Sequence, residues 1–256
     1  SSDRRLGIVL GPPGTGKTAD LTGRARKCLE DGIPADRICF VSFSRAAVGE
    51  ALDRMDGSRQ RFPGFKTIHA LGYALAGVKQ DEMVTEERLV EFSQRIGEPI
   101  SSVFATTMSD EARGLNDVRG APADVAMSLY ARAMARDTSL EYEFKREKEV
   151  AVSWELVRTI IERYVQYKSV NRLWDFSDLV TNSQGVLDAD VVFVDEAQDT
   201  TRAQWNLLRR SIPRSAHLVL AGDDDQCIYR WSGADPTPLG TLEAVRTTLG
   251  PSHRVP

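Results

Sequence analysis

The fold of this 256-residue chain is decided by one stretch, Gly11-Pro12-Pro13-Gly14-Thr15-Gly16-Lys17-Thr18. It follows an apolar run at residues 7–10 and precedes a segment that can begin a helix. In a Gly-x-x-x-x-Gly-Lys-Thr loop, backbone N–H groups turn toward phosphate oxygens, the lysine neutralises the outer phosphates, and the threonine hydroxyl can bind Mg²⁺. The stretch therefore predicts a triphosphate site on a strand–loop–helix unit. The alternative is a glycine-rich turn that binds nothing.

The composition is that of a cytoplasmic globular protein. Hydrophobic residues make up 41% and charged residues 27% of the chain, and no apolar run is long enough to cross a membrane. The N-terminus lacks the charged-then-apolar pattern of a secretion signal. Cys28, Cys39 and Cys227 lie far apart, which argues against a disulfide framework or a zinc site. We therefore expect no membrane partner.

The formal net charge of −4 by itself argues mildly against a nucleic-acid partner. Six carboxylates, however, are concentrated in two short clusters, where a site for a metal–nucleotide complex would need them. The rest of the surface is therefore less acidic than the total suggests. The two clusters are Asp195, Glu196 and Asp199, and Asp223, Asp224 and Asp225.

Strand and helix patterns alternate along most of the chain, which predicts an α/β fold with a parallel sheet. Strands are expected at residues 7–10, 38–43, 65–69, 191–194 and 217–221, and helices at 17–30, 45–55 and 202–210. Between residues 78 and 148 the strand pattern disappears, which indicates an inserted helical subdomain. A helix over residues 153–168 then returns the chain to the sheet. Its expected apolar face consists of Trp154, Val157, Ile161, Tyr164 and Val165.

A second chemical motif, Asp195-Glu196, directly follows the strand at residues 191–194. The carboxyl ends of parallel strands share one edge of the sheet, so this pair is expected beside the phosphate loop. Phosphoryl transfer to water needs Mg²⁺ on the phosphates and a group that orients the water. Asp195 is therefore the expected metal ligand, with Thr18, and Glu196 the expected base. The alternative is an acidic helix N-terminus that only complements the helix dipole.

Seven segments occur in the order seen in UvrD/Rep-like superfamily 1 DNA helicases, and the chain resembles the N-terminal half of that family. They resemble its motifs I, Ia and Ib, the segment before motif II, and motifs II, III and IV. Together they span nearly the whole chain except the helical insertion. The segments are Gly11–Thr18, Val41–Ala47, Thr67–His69, Asp175–Leu179, Val194–Asp199, Gly222–Ala234 and Ser252–Arg254.

The resemblance implies a RecA-like P-loop NTPase sheet flanked by helices. Subdomain 1A would comprise residues 1–77 and 149–256, and the helical subdomain 1B residues 78–148. ATP and Mg²⁺ are the implied cofactors. Gln226 resembles the family's γ-phosphate sensor, which places it with Lys17, Glu196 and Arg254 in the catalytic set. The implied nucleotide-binding residues are Gly14, Thr15, Gly16, Lys17, Thr18 and His253.

Five residues resemble the family's contacts to single-stranded DNA. Tyr229 and Trp231 would stack on bases, which suits a translocase because every base offers a π-face. Phe43 resembles the motif Ia aromatic residue, and Thr67 and His69 resemble the motif Ib contacts to the DNA backbone. For the aromatic residues the alternative is core packing, and for His69 a structural hydrogen bond.

Two departures limit this resemblance. The family's adenine-recognising glutamine segment lies upstream of motif I, but only residues 1–6 precede the first strand, so we expect that contact to be missing or supplied differently. At the other end His253-Arg254 stands where the family usually has Tyr-Arg, and motifs V and VI do not occur before Pro256. A C-terminal helicase domain, equivalent to subdomains 2A and 2B, is therefore an expected partner.

The resemblance implies the ATP-binding N-terminal part of an ATP-dependent DNA helicase or translocase. Its substrates would be single-stranded DNA and junctions of single- and double-stranded DNA, with 3′-to-5′ movement. The chain alone is expected to be a weak or inactive ATP hydrolase, because arginine from a second domain would be missing. Two alternatives remain open: a stand-alone P-loop phosphotransferase, and a non-catalytic DNA-binding module gated by nucleotide.

Overall fold

The computed structural model describes residues 6–12, 14–100, 120–147, 150–223 and 244–249. Within them six strands form one sheet, and every strand pair is parallel. The strand order across the sheet is β3-β2-β4-β5-β1-β6. The strands are β1 (Leu6–Leu10), β2 (Ile38–Ser42), β3 (Phe65–Thr67), β4 (Val191–Val194), β5 (His217–Gly222) and β6 (Val245–Thr248).

Helices cover both faces of the sheet, as the apolar residues of its strands require. On β2, Ile38 and Phe40 point into one apolar cluster, and Cys39 and Val41 point into another. The first cluster includes α1 (Lys17–Glu30) and α2 (Arg45–Arg54). The second includes α3 (Ile68–Ala76), α8 (Phe176–Asn182) and α9 (Arg202–Ser211). The expected α/β parallel sheet is confirmed.

A third apolar cluster forms a separate helical layer between β3 and β4 in the chain. Its fully buried aromatic residues include Phe92 and Tyr164, whose ring centroids lie 5.3 Å apart. None of the helices that the structure describes is both long and apolar enough to cross a membrane. The layer consists of α4 (Glu86–Ile96), α5 (Pro122–Arg136), α6 (Leu140–Arg146) and α7 (Trp154–Asn171).

The helix α7 differs from its prediction. Its buried residues Val157, Ile161 and Tyr164 pack within the helical layer, whereas Val165 is 46% exposed and does not belong to the apolar face. Ile160 takes part in the packing instead, because it completes the i, i+3, i+4, i+7 spacing of Val157, Ile161 and Tyr164 on one helix face. The helical layer thus continues past residue 148. The subdomain boundaries at residues 77–78 and 148–149 remain a prediction.

Three further elements differ from the sequence expectation. The strand expected over residues 65–69 ends at Thr67, because the Thr67 hydroxyl accepts the Ala70 N–H and begins α3. The helix α8 is only seven residues long, which is too short for its apolar residues Phe176, Leu179 and Val180 to establish a helical period. The edge strand β6 is mostly exposed and lacks an apolar face, so the pattern did not predict it.

Candidate functional site

The phosphate loop follows β1 at the carboxyl edge of the sheet. The Gly11 N–H donates to the Gly222 carbonyl of β5 at 3.2 Å, which fixes the beginning of the loop. Gly14 and Gly16 have φ values of 81° and 84°, in the left-handed region that favours glycine. Gly16 caps α1 without a side chain, so the first N–H groups of α1 face the loop. This geometry suits a bound phosphate.

Lys17 is buried beneath this loop, with 5% of its surface exposed. Its ammonium donates to the Gly11 carbonyl at 2.9 Å and to the Pro12 carbonyl at 3.4 Å. The carboxylate of Glu196 lies 3.7 Å away. The lysine thus brings a positive charge to the junction between the phosphate loop and the end of β4.

Thr18 and Asp195, which lie 177 residues apart in the chain, are in direct contact. The Thr18 hydroxyl donates to Asp195 Oδ2 at 2.7 Å. Burial raises the pKa of Asp195 to about 6, although the hydrogen bond from Thr18 favours the ionised form. A hydroxyl and one carboxylate are a donor set that Mg²⁺ uses together with phosphate oxygens and water. The residues present therefore fit a Mg²⁺–nucleotide complex.

Glu196 has a strained backbone, with φ 49° and ψ 46° in the left-handed region. A non-glycine residue there costs on the order of 1–3 kcal/mol, and such strain is often found at active sites. The Glu196 N–H donates to Asp195 Oδ1 at 3.1 Å, which supports this conformation. The side chain is 39% exposed, so its carboxylate can reach solvent beside Lys17.

Gln198, for which the sequence pattern predicts no role, connects Glu196 to the end of β5. Its amide nitrogen donates to Glu196 Oε2 at 2.8 Å, and its amide oxygen accepts the Asp223 N–H at 3.1 Å. Asp199 lies in the same turn, where burial, followed by the charge of Glu196, raises its pKa to about 7. Only the position of Gln198 within the acidic motif could have indicated its importance.

A groove of about 430 Å³ lies beside α3 and α8 at the ends of β2 and β3. We call it the basic groove. The described residues that line it include three cationic side chains and no carboxylate, and the aromatic rings of His69, Tyr73 and Phe176 also line it. Its lining residues are Arg45, Arg59, Lys66, Thr67, His69, Ala70, Tyr73, Ala74, Phe176 and Leu179.

Two of the expected DNA-binding residues, Thr67 and His69, line this groove. The Thr67 side chain is 5% exposed, and its hydroxyl caps α3. The His69 ring meets the Phe176 ring edge-on, with centroids 5.6 Å apart, and burial lowers its pKa to about 4. His69 is therefore neutral near pH 7. Phe43, at the end of β2, is partly buried and is not among the lining residues.

The remaining predicted site residues lie outside the described part of the chain. They are Gln226, Tyr229, Trp231, His253 and Arg254. Their roles remain predictions from the family resemblance.

A comparison with known families agrees with this geometry. The model of the UvrD/REP helicase N-terminal domain matches residues 3–244. The chain belongs to this family. The match extends across the phosphate loop, the acidic motif after β4 and the lining of the basic groove. In this UvrD/REP domain the parallel sheet thus brings the nucleotide motifs to the same edge as the groove.

Two relatives illustrate the similarity. The chain is 26% identical over 261 residues to the ATP-dependent DNA helicase UvrD1 of Mycobacterium tuberculosis (strain ATCC 25618 / H37Rv), which covers 89% of this chain and 32% of the relative. It is 23% identical over 251 residues to the ATP-dependent DNA helicase PcrA of Staphylococcus aureus (strain NCTC 8325 / PS 47), with coverage of 89% and 32%. The chain thus spans about a third of the length of these relatives.

Proposed function

We propose that this UvrD/REP domain is the ATP-binding part of an ATP-dependent DNA helicase or translocase that moves 3′ to 5′ along single-stranded DNA. The contact between Thr18 and Asp195 at 2.7 Å carries this proposal, because it unites the two nucleotide motifs at one site. The names of the relatives support an ATP-dependent activity on DNA. The direction of movement is taken from the family resemblance.

ATP would lie on the phosphate loop, with Lys17 on its outer phosphates and Mg²⁺ held by Thr18 and Asp195. Bound Mg²⁺ would neutralise the charge that develops on the phosphates during hydrolysis. Glu196 would accept a proton from the attacking water, since its carboxylate is partly exposed and lies 3.7 Å from Lys17. Gln198 would hold that carboxylate in place.

Replacing Gln198 with alanine tests this positioning role. We expect the rate of ATP hydrolysis to fall roughly ten- to a hundredfold, because a small misplacement of a catalytic group has a large effect on rate. Affinity for ATP should remain within about twofold, since the substitution leaves Lys17, Thr18 and Asp195 in place to bind the phosphates and Mg²⁺. Single-turnover kinetics would measure both quantities, with exposed Gln184→Ala as the control. An unchanged hydrolysis rate would show that Gln198 does not position the Glu196 carboxylate for catalysis.

The basic groove would bind the single strand. Arg45, Arg59 and Lys66 can contact phosphates, which gives affinity that does not depend on sequence. The rings of Tyr73 and Phe176 can stack on bases, and stacking is equally tolerant of sequence. Both properties suit a protein that moves along DNA. Tyr229 and Trp231 are proposed to extend this surface.

The two sites lie at the same edge of the sheet. Lys66 and Thr67 of β3 line the groove, and β2 lies between β3 and β4, which carries Asp195 and Glu196 at its carboxyl end. Neighbouring strands are about 4.8 Å apart, so the phosphate loop after β1 is four strand spacings from β3, or roughly 19 Å. A change at the nucleotide can therefore reach the groove through a few packed residues. A second helicase domain that closes on this edge would convert such changes into movement.

Substitutions in the groove test the DNA proposal. Phe176→Ala should weaken oligo(dT) binding by about five- to a hundredfold, since stacking contributes about 1–3 kcal/mol per base. Arg59→Ala should weaken binding and reduce the slope of log affinity against log salt by about 0.7 if one phosphate contact is lost. Fluorescence anisotropy with labelled oligo(dT) would measure both.

The control for these variants is Arg209→Ala on α9, where the side chain is exposed and lies outside the groove. It should leave both the affinity and the salt slope unchanged. If Phe176→Ala and Arg59→Ala also leave oligo(dT) binding unchanged, the groove is not the DNA site. Calorimetric ATP binding by the same variants should match the wild type and would show that the nucleotide site is intact.

A further inference from the structure

A buried ion cluster joins the helical layer to α8. Lys168 on α7 is 5% exposed, and its ammonium donates to Asp175 Oδ2 at 2.6 Å and to Asp178 Oδ2 at 2.5 Å. It also donates to the Tyr130 hydroxyl of α5 at 3.3 Å. The Tyr164 hydroxyl donates to the same Asp175 oxygen at 3.1 Å. Side chains from three helices therefore meet at the beginning of α8.

The charges in this cluster depend on Lys168. Burial opposes its positive charge, yet the carboxylates of Asp175 and Asp178 keep the pKa of Lys168 above its usual value. Burial, and then the charge of Asp175, raises the pKa of Asp178. Without the lysine, two buried carboxylates would face each other with no cation between them. Removing one partner from such a buried ion cluster usually destabilises the folded state strongly, because it leaves an uncompensated buried charge.

The same two carboxylates form the beginning of α8. The Asp178 N–H donates to Asp175 Oδ1 at 2.9 Å, and the Asp175 N–H donates to Asp178 Oδ2 at 2.9 Å. This reciprocal cap matters because a seven-residue helix is not stable by itself. Lys168 thus contacts both capping carboxylates, those of Asp175 and Asp178, and connects the first turn of α8 to α7.

The first turn of α8 also presents Phe176 to the basic groove. Phe176 follows Asp175 directly, and its ring contacts His69. The helices α3 and α8 form one wall of the groove. They approach so closely that a Cβ at Gly72 of α3 would lie only 2.7 Å from the Leu179 carbonyl oxygen of α8. A shift of α8 would therefore change the groove directly.

We propose that Lys168 is a positioning residue for the basic groove: through Asp175 and Asp178 it holds α8, and thereby Phe176, in the place where a DNA base can stack. The proposal rests on the proposed function, since it takes the groove as the site for single-stranded DNA. Through Lys168 the helical layer would support DNA binding, although Lys168 itself would not contact the DNA.

A double-mutant cycle tests the DNA part of this proposal. Lys168→Met should weaken oligo(dT) binding by about tenfold and leave ADP affinity within about twofold, because only the stacking wall is displaced. In a Phe176→Ala background the same substitution should change the affinity by less than about twofold, because the stacking contact that Lys168 supports is already absent. Lys145→Met, at an exposed lysine of α6, is the matched control and should have no effect.

The cycle overturns the proposal if Lys168→Met weakens binding equally in both backgrounds or does not weaken it at all. If Lys168→Met does not fold, the variant Lys168→Met/Asp175→Asn/Asp178→Asn takes its place. Asparagine oxygens can still cap α8, whereas the ionic link from Lys168 to α8 is lost, so the same loss of affinity is expected.

The His69 resonance provides a readout that needs no DNA. The chain has three histidines, so the His69 imidazole signal in a ¹H–¹³C spectrum can be assigned with His69→Gln. Lys168→Met should shift this signal because the Phe176 ring moves, and Lys145→Met should not. An unchanged signal would overturn the role of Lys168. A shifted signal together with oligo(dT) binding that is insensitive to Phe176→Ala would support the anchoring of α8 and refute the groove as the DNA site.

Discussion

Lys17→Ala is expected to lower the affinity for Mg²⁺–ATP by about a hundredfold or more. One or two charge-assisted hydrogen bonds to phosphate, at about 1.5–3 kcal/mol each, account for a loss of this size. Lys17 is the cation buried at the phosphate loop, and its ammonium already lies at the junction with Glu196. Isothermal titration calorimetry would measure the affinities of the variant and the wild type.

The matched control is Lys27→Ala, which removes an exposed lysine near the end of the same helix. It should bind Mg²⁺–ATP like the wild type. Because Lys17 also donates to two carbonyls of the loop, circular dichroism and oligo(dT) binding would verify that the sheet and the basic groove are intact. Unchanged ATP affinity in folded Lys17→Ala would refute the nucleotide site.

Glu196→Gln is expected to lower the rate of ATP hydrolysis by about 10²–10⁴-fold and to leave ATP affinity within a few-fold of the wild type. The substitution removes the base and keeps the shape of the side chain. The amide oxygen can still accept the hydrogen bond from Gln198, and the backbone N–H keeps its bond to Asp195, so the strained backbone at residue 196 should keep its support. Single-turnover measurements with saturating Mg²⁺–ATP and oligo(dT) would separate hydrolysis from binding.

The control for this variant is Glu50→Gln on the exposed face of α2, where the carboxylate pairs with Arg54. It should hydrolyse ATP at the wild-type rate. Hydrolysis by Glu196→Gln at the wild-type rate would assign the base to another residue. An inactive isolated chain is expected, because arginine from a second domain would be missing. If a longer chain that also contains the C-terminal helicase domain binds Mg²⁺–ATP and oligo(dT) but shows no hydrolysis above background, the non-catalytic DNA-binding module becomes the better interpretation.

Local patterns predicted most of the sheet and the nucleotide motifs. Buried strands such as β4 are continuous apolar runs between turn residues, and α1 follows directly from the phosphate loop, so neither depends on distant contacts. The rule that parallel strands end at one edge of the sheet predicts from the sequence alone that Asp195 lies near Thr18. The edge strand β6 was missed because it has no apolar face, and the helix α8 was missed because seven residues are too few to establish a helical period.

The side-chain arrangement of the site was decided by the tertiary structure. The acidic motif contains Gln198, but only the pairing of β4 with β5 brings the Asp223 N–H to its amide oxygen. The basic groove needs α2, α3 and α8 together, and residues 45 and 176 lie far apart in the chain. Lys168 reads in the sequence as a polar residue near the end of an amphipathic helix, and folding alone buries it between two carboxylates. The reason is physical: periodicity and motif spacing report local geometry, whereas the partner of a buried charge is chosen by the packing of distant segments.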